Sequence, residues 1–121
     1  MNGIKCLLDT NIILGLIKGN LDAGKKLQEL KLKNCAFSSV TRMELLGFPG
    51  ITQHEISIIS VLLSQMTQFS IDRIIEDMTI ALKQEYKLKL PDAIILATAM
   101  NNNIELLTLD KKLANKNNYK N

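Results

Sequence analysis

Four short apolar runs punctuate the chain. They are Ile4-Lys5-Cys6-Leu7-Leu8, Cys35-Ala36-Phe37-Ser38-Ser39-Val40, a weaker run over residues 66–71, and a last one over residues 104–109. Runs this short, bounded by polar or turn residues, read as buried strands. Between them, apolar positions recur at helical spacing. Ile12, Ile13, Leu14, Leu16 and Ile17 predict a short helix stopped near Gly19. Residues 21–30 predict a second, with Leu21, Leu27 and Leu30 apolar and Lys25, Lys26 and Glu29 polar. Thr41 is expected to open a helix carrying Met43, Leu45 and Leu46, ended by Gly47-Phe48-Pro49-Gly50, and Thr52 to open another. Residues 72–87 form a long amphipathic pattern with Ile74, Met78 and Leu82 on one face. Pro91 suits the first turn of a helix, where its missing N–H costs little. Residues 92–100 are apolar nearly all round, which predicts a buried helix. After the last strand come Asp110 and a stretch rich in lysine and asparagine, read as a polar tail over residues 114–121.

Strands alternating with helices imply an α/β fold with a parallel sheet and right-handed crossovers. At 121 residues the chain is sized for one domain, residues 1–121, with no linker or internal repeat. Hydrophobic content of 46% excludes disorder as the main state. With 4% aromatics and no Trp, the composition argues against a stacking platform for single-stranded bases. No run reaches the roughly 18 apolar residues of a membrane span, and Asp9 interrupts the short apolar start, so neither a membrane location nor a signal peptide is expected. Cys6 and Cys35 lie in apolar surroundings, which reads as a reduced, cytoplasmic pair. The net charge of +3 permits a polyanionic partner without requiring one.

In an open parallel sheet, ligands bind outside the carboxyl ends of the strands. Asp9 follows the first strand, Glu44 lies a helical turn beyond the second, and Asp110 follows the last. Asp92 is a charge in the first turn of an otherwise apolar helix. Each has a structural reading too. Asp9 and Asp110 can cap the helices that follow, and Asp92 can complement a helix dipole. Thr41-Arg42-Met43-Glu44 fits a capping box, as does Thr52-Gln53-His54-Glu55, which follows no strand. If the four converge, they raise one another's pKa and repel. A hard divalent cation relieves this, since oxygen ligands suit Mg²⁺ or Mn²⁺. His54 is the only histidine and the cysteines sit inside strands, so nothing favours zinc. A metal-bound water can attack phosphorus, and an all-acid site fits phosphodiester hydrolysis.

Four segments resemble the motifs of PIN-domain nucleases, in order. Leu7-Leu8-Asp9-Thr10-Asn11 is similar to the opening motif, apolar residues followed by D-[ST]-N. Residues 38–45, Ser-Ser-Val-Thr-Arg-Met-Glu-Leu, resemble the second, a Ser/Thr-rich strand end leading to a Glu on a helix. Residues 91–99, Pro-Asp-Ala-Ile-Ile-Leu-Ala-Thr-Ala, resemble the third, and residues 107–113, Leu-Thr-Leu-Asp-Lys-Lys-Leu, the fourth, T-x-D followed by a hydrophobic position. By size, the chain resembles the single-domain, VapC-like toxins of prokaryotic toxin–antitoxin pairs. The resemblance implies a three-layer α/β/α sandwich on a parallel sheet of four or five strands. It implies an Mg²⁺- or Mn²⁺-dependent endoribonuclease with one or two ions. Asp9, Glu44, Asp92 and Asp110 would be the catalytic, metal-binding acids, and Asn11 and Thr108 their polar supports, whose alternative role is capping a turn. It also implies a cognate antitoxin and a homodimer. Two departures stand out. Lys112 and Leu113 occupy positions where many relatives carry a second acid and an aromatic. A fifth strand is either missing, reduced to a stub around Tyr119, or truncated.

Lysines flank the acids in sequence: Lys111, Lys112, Lys116 and Lys120 after Asp110, and Lys83, Lys87 and Lys89 before Asp92. They read either as solvated surface or as RNA contacts, with Lys111, Lys112 and Lys89 the chosen candidates. Arg42 is a further cation with either a helix or a phosphate to serve. Two rival functions remain open. One is a catalytically silent module that binds RNA or an antitoxin. The other is a phosphotransferase with Asp9 as nucleophile, although haloacid-dehalogenase-like enzymes place a second Asp where Asn11 stands.

Overall fold

The computed structural model describes residues 3–117. Its elements are β1 (Cys6–Leu8), α1 (Thr10–Ile17), α2 (Leu21–Lys26), a 3-10 turn (Leu32–Asn34), β2 (Cys35–Ser38), α3 (Ser39–Leu46), α4 (Gln53–Ser64), β3 (Thr67–Phe69), α5 (Arg73–Glu85), α6 (Leu90–Asn101), β4 (Glu105–Leu107) and α7 (Lys111–Asn115). The four strands form one sheet in the order β3-β2-β1-β4, and every pairing is parallel. Among the described residues the sheet has four strands; Tyr119, the expected stub of a fifth, lies outside them, as does Lys120.

The side-chain alternation of the central strands divides the core into two layers. Leu7, Ala36 and Leu106 face one side, against Ile75 and Leu82 of α5 and the apolar run of α6. Cys6, Leu8, Cys35, Phe37 and Leu107 face the other, against Ile12, Ile13, Leu45, Ile59 and Leu63 of α1, α3 and α4. The sandwich is therefore α/β/α, as expected. Residues 93–99 of α6 are all buried, as a helix that is apolar all round demands. Across the β1–β2 pair, the free thiols of Cys6 and Cys35 meet at 3.3 Å. That contact and burial hold the Cys6 thiol protonated by raising its pKa.

Several boundaries move. The helix expected over residues 21–30 stops at Lys26, because the backbone then tightens into three-residue bonds, Leu27 N to Gly24 O and Leu30 N to Leu27 O. The second strand ends at Ser38, whose hydroxyl caps α3 by accepting from Val40 N. Thr41 therefore does not open that helix and is not half of a capping box; Thr52 and Glu55 do form one. The start of the polar tail folds as α7, with Asp110 as its cap and Leu113 buried against the α6 layer. No helix among the described residues is long and apolar enough to cross a membrane.

Candidate active site

Each acid sits where a strand hands over to a helix, or on the first turns of one. Asp9 leaves β1 and caps α1, and the residue is 4% exposed. One oxygen accepts from Thr10 N at 2.7 Å and the other from the Thr108 hydroxyl at 2.6 Å. Glu44 projects from α3 and accepts from the Thr10 hydroxyl at 2.7 Å. Asp92 lies in the first turn of α6 and is itself partly buried. Asp110 follows β4 and caps α7, one oxygen accepting from Lys112 N and Leu113 N.

The electrostatics tie the four together. Burial pushes the Asp9 carboxyl above its usual range, and the charges of Asp92 and Glu44 push the same way, against the Thr108 and Thr10 hydrogen bonds. Burial also raises Asp92, followed by repulsion from Asp110 and Glu44; Lys89 opposes this. The acids expected from sequence thus share one electrostatic neighbourhood. Among the described residues, the one salt bridge is Arg73–Glu76 on α5, so none of the four acids is ion-paired. No three acidic, His or Cys side chains there form a ready-made ligand group, however. Both Asp9 oxygens and one oxygen each of Glu44 and Asp110 already serve protein donors. A carboxylate has about four lone-pair sites, so each keeps capacity for a cation. The donor set is all hard oxygen and carries unrelieved repulsion, which fits Mg²⁺ or Mn²⁺ and does not fit a soft metal.

Asn11 and Thr108 stand where supports were expected. Asn11 donates to the Thr108 hydroxyl at 3.2 Å and accepts from Leu109 N at 3.1 Å. Thr108 also accepts from Asp110 N at 3.0 Å. These bonds link the segment after β1 to the segment after β4. Sequence reasoning missed Thr10 and Thr41, whose hydroxyls meet at 3.0 Å beside Glu44. The signal that hid Thr41 was its false fit to a capping box.

The lysines divide. Lys111, Lys112 and Lys89 are exposed. Lys116 instead lies over the Tyr86 ring, 5.1 Å from its centre, and Lys83 donates to Leu88 O at 3.0 Å. Arg42 lines a separate depression of about 290 Å³ with Phe37, Leu63 and Gln68. His54 is exposed at the start of α4. An apolar groove of about 270 Å³ begins at Thr10 and Glu44 and runs along Leu14, Leu45, Phe48 and Ile59.

A family model described as PIN domain matches residues 6–118. Among solved structures, a toxin–antitoxin complex from Klebsiella pneumoniae superposes with a TM-score of 0.78 and 38% identity, covering 89% of this chain and 88% of that one. VapBC2 from Rickettsia felis, bound to a DNA fragment from its promoter, gives 0.73 at 23% identity over 93% and 92%. FitAcB from Neisseria gonorrhoeae gives 0.70 at 22% over 90% and 90%. The last two share the fold. No curated protein sequence matches the chain.

Proposed function

The chain belongs to the PIN domain family, and from that premise we propose that it is a divalent-cation-dependent endoribonuclease, the toxin of a toxin–antitoxin pair. The observation that carries this is the repulsion of Asp9 by Asp92 and Glu44, and of Asp92 by Asp110 and Glu44, among acids that four separate segments bring to one end of the sheet without a salt bridge. An acidic group without a countercharge is suited to a cation and ill suited to a phosphate alone.

Asp9, Glu44, Asp92 and Asp110 would hold the cation. Once bound, Mg²⁺ or Mn²⁺ would neutralise the scissile phosphate and lower the pKa of a coordinated water. The protein's own part is orientation. Thr108 and Thr10 N fix both oxygens of Asp9, and Asn11 ties that arrangement to the Asp110 turn. Exposed Lys111, Lys112 and Lys89 would receive the RNA backbone by charge.

The antitoxin reading rests on the 38% identical toxin–antitoxin complex and on the apolar groove that opens at Glu44. A partner lying there would exclude RNA. A homodimer is part of the same proposal, checked by light scattering. Purified protein and labelled RNA test the activity. Cleavage in Mg²⁺ or Mn²⁺ should vanish with EDTA and fall at least ~100-fold in Asp92→Asn, more than the loss of an outer-shell partner costs. The silent binding module has one observation behind it, the hydrogen bonds already occupying Asp9 and Asp110. Tight RNA binding with no cleavage in either cation would establish it.

A further inference from the structure

We infer that Thr10 and Thr41 form a hydroxyl relay that sets the rotamer of Glu44 for cation binding; this rests on the cation-dependent reading above. Glu44 is on the exposed side of α3. A glutamate there ordinarily samples many rotamers, and freezing it costs side-chain entropy. In this fold one of its oxygens is held at 2.7 Å by the Thr10 hydroxyl. The same hydroxyl meets Thr41 Oγ1 at 3.0 Å.

Proton counting fixes the direction. An ionised carboxylate only accepts, and each threonine has one hydroxyl proton. Thr10 must therefore donate to Glu44, which leaves its lone pairs to accept from Thr41. Thr41 is fully buried in the first turn of α3 and cannot turn to solvent. Thr10 is the first residue of α1, and its backbone N–H is already bound to Asp9. Thr10 thus serves two acids from one position: its amide holds Asp9 and its hydroxyl holds Glu44. The relay joins α1 to α3 and leaves the second Glu44 oxygen for a cation. Both threonines are positioning residues, acting through Glu44.

The valine variants keep each side chain's shape and remove only the hydroxyl. The probe is Mn²⁺ alone, its free fraction followed by electron paramagnetic resonance, with RNA absent. Thr10→Val should weaken Mn²⁺ binding about 10- to 100-fold, the usual cost of losing an outer-shell partner. Thr10→Ser should stay within about threefold of the parent, given that it restores the hydroxyl. Thr41→Val should shift affinity the same way, and the Thr10→Val/Thr41→Val pair should be no worse than Thr10→Val, as expected of two groups in one chain of bonds. Thermal unfolding in EDTA tells a folding defect apart from a positioning one. Should Thr10→Val destabilise the metal-free protein, the Ser variant and the double-variant comparison carry the test. The relay is overturned if Thr10→Val binds Mn²⁺ like the parent, if Ser is as weak as Val, or if the two Val effects add. A parent protein that binds no Mn²⁺ at millimolar concentration overturns the cation-dependent reading itself, and the relay with it.

Discussion

Thr108 has one hydroxyl and three claimants. It donates to Asp9, and it accepts from the Asn11 amide and from Asp110 N. That exhausts one proton and two lone pairs. Thr108→Val keeps the volume and strands a buried carboxylate oxygen together with two donors. The expected cost is about 1–3 kcal/mol, the usual penalty for an unsatisfied buried polar group, read as a lower urea midpoint; Thr108→Ser should recover most of it. The Thr108 bond also holds the Asp9 pKa down against burial. Without it that pKa rises further, and since a carboxylate must lose its proton to bind a cation, the acid limb of the Mn²⁺-binding curve should move to higher pH.

At the scale of elements, the angle between α1 and α2 depends on Gly15. A Cβ built there would lie 2.8 Å from Ala23 Cβ, closer than side chains approach. Gly15→Ala gains about 1 kcal/mol of helix propensity but incurs about 1–3 kcal/mol of overpacking. Overpacking wins, and a net loss of about 1 kcal/mol in urea unfolding is expected, along with weaker Mn²⁺ binding, because α1 carries Asp9, Thr10 and Asn11. The elements differ in how openly the sequence declares them. β1, β2 and β4 are apolar runs with polar ends, and α6 is apolar all round, so each announces itself. α7 does not: five residues with one buried leucine show no periodicity, and the helix forms because Asp110 caps it and Leu113 finds the core. Asp9, Glu44 and Asp110 drew notice through their places after strands, and Asp92 as a charge in the first turn of an apolar helix. The relay was not, since Thr41 and Glu44 stand at capping-box spacing and only the tertiary approach of α1 reveals a different partner. Lys116 shows the same limit, its link to Tyr86 spanning two distant segments.

For the whole molecule, charge is unevenly spread. The chain carries +3 overall, yet four acids crowd one end of the sheet. Exposed Lys111 and Lys112 border them in sequence, so replacing both with Ala should weaken RNA binding and flatten its salt dependence by roughly 0.7 per lost phosphate contact on a single strand. The acids themselves make stability depend on pH. Asp9 and Asp92 have folded pKa values raised above the ordinary carboxylate range. Between the unfolded and folded values the native state binds more protons, so metal-free stability falls as pH rises through that window and levels off above it. A cation reverses the trend, because it binds only the deprotonated native site. At ten times its dissociation constant it adds RT ln 11, about 1.4 kcal/mol, several degrees in Tm for a domain of this size. The increment from Mg²⁺ should shrink toward zero as pH falls through the raised pKa values of Asp9 and Asp92, and should grow to its full value as pH rises above them. Paired thermal scans across that range, with Mg²⁺ and with EDTA, measure it directly. Two curves that stay parallel at every pH would mean that these carboxylates are not where the ion binds.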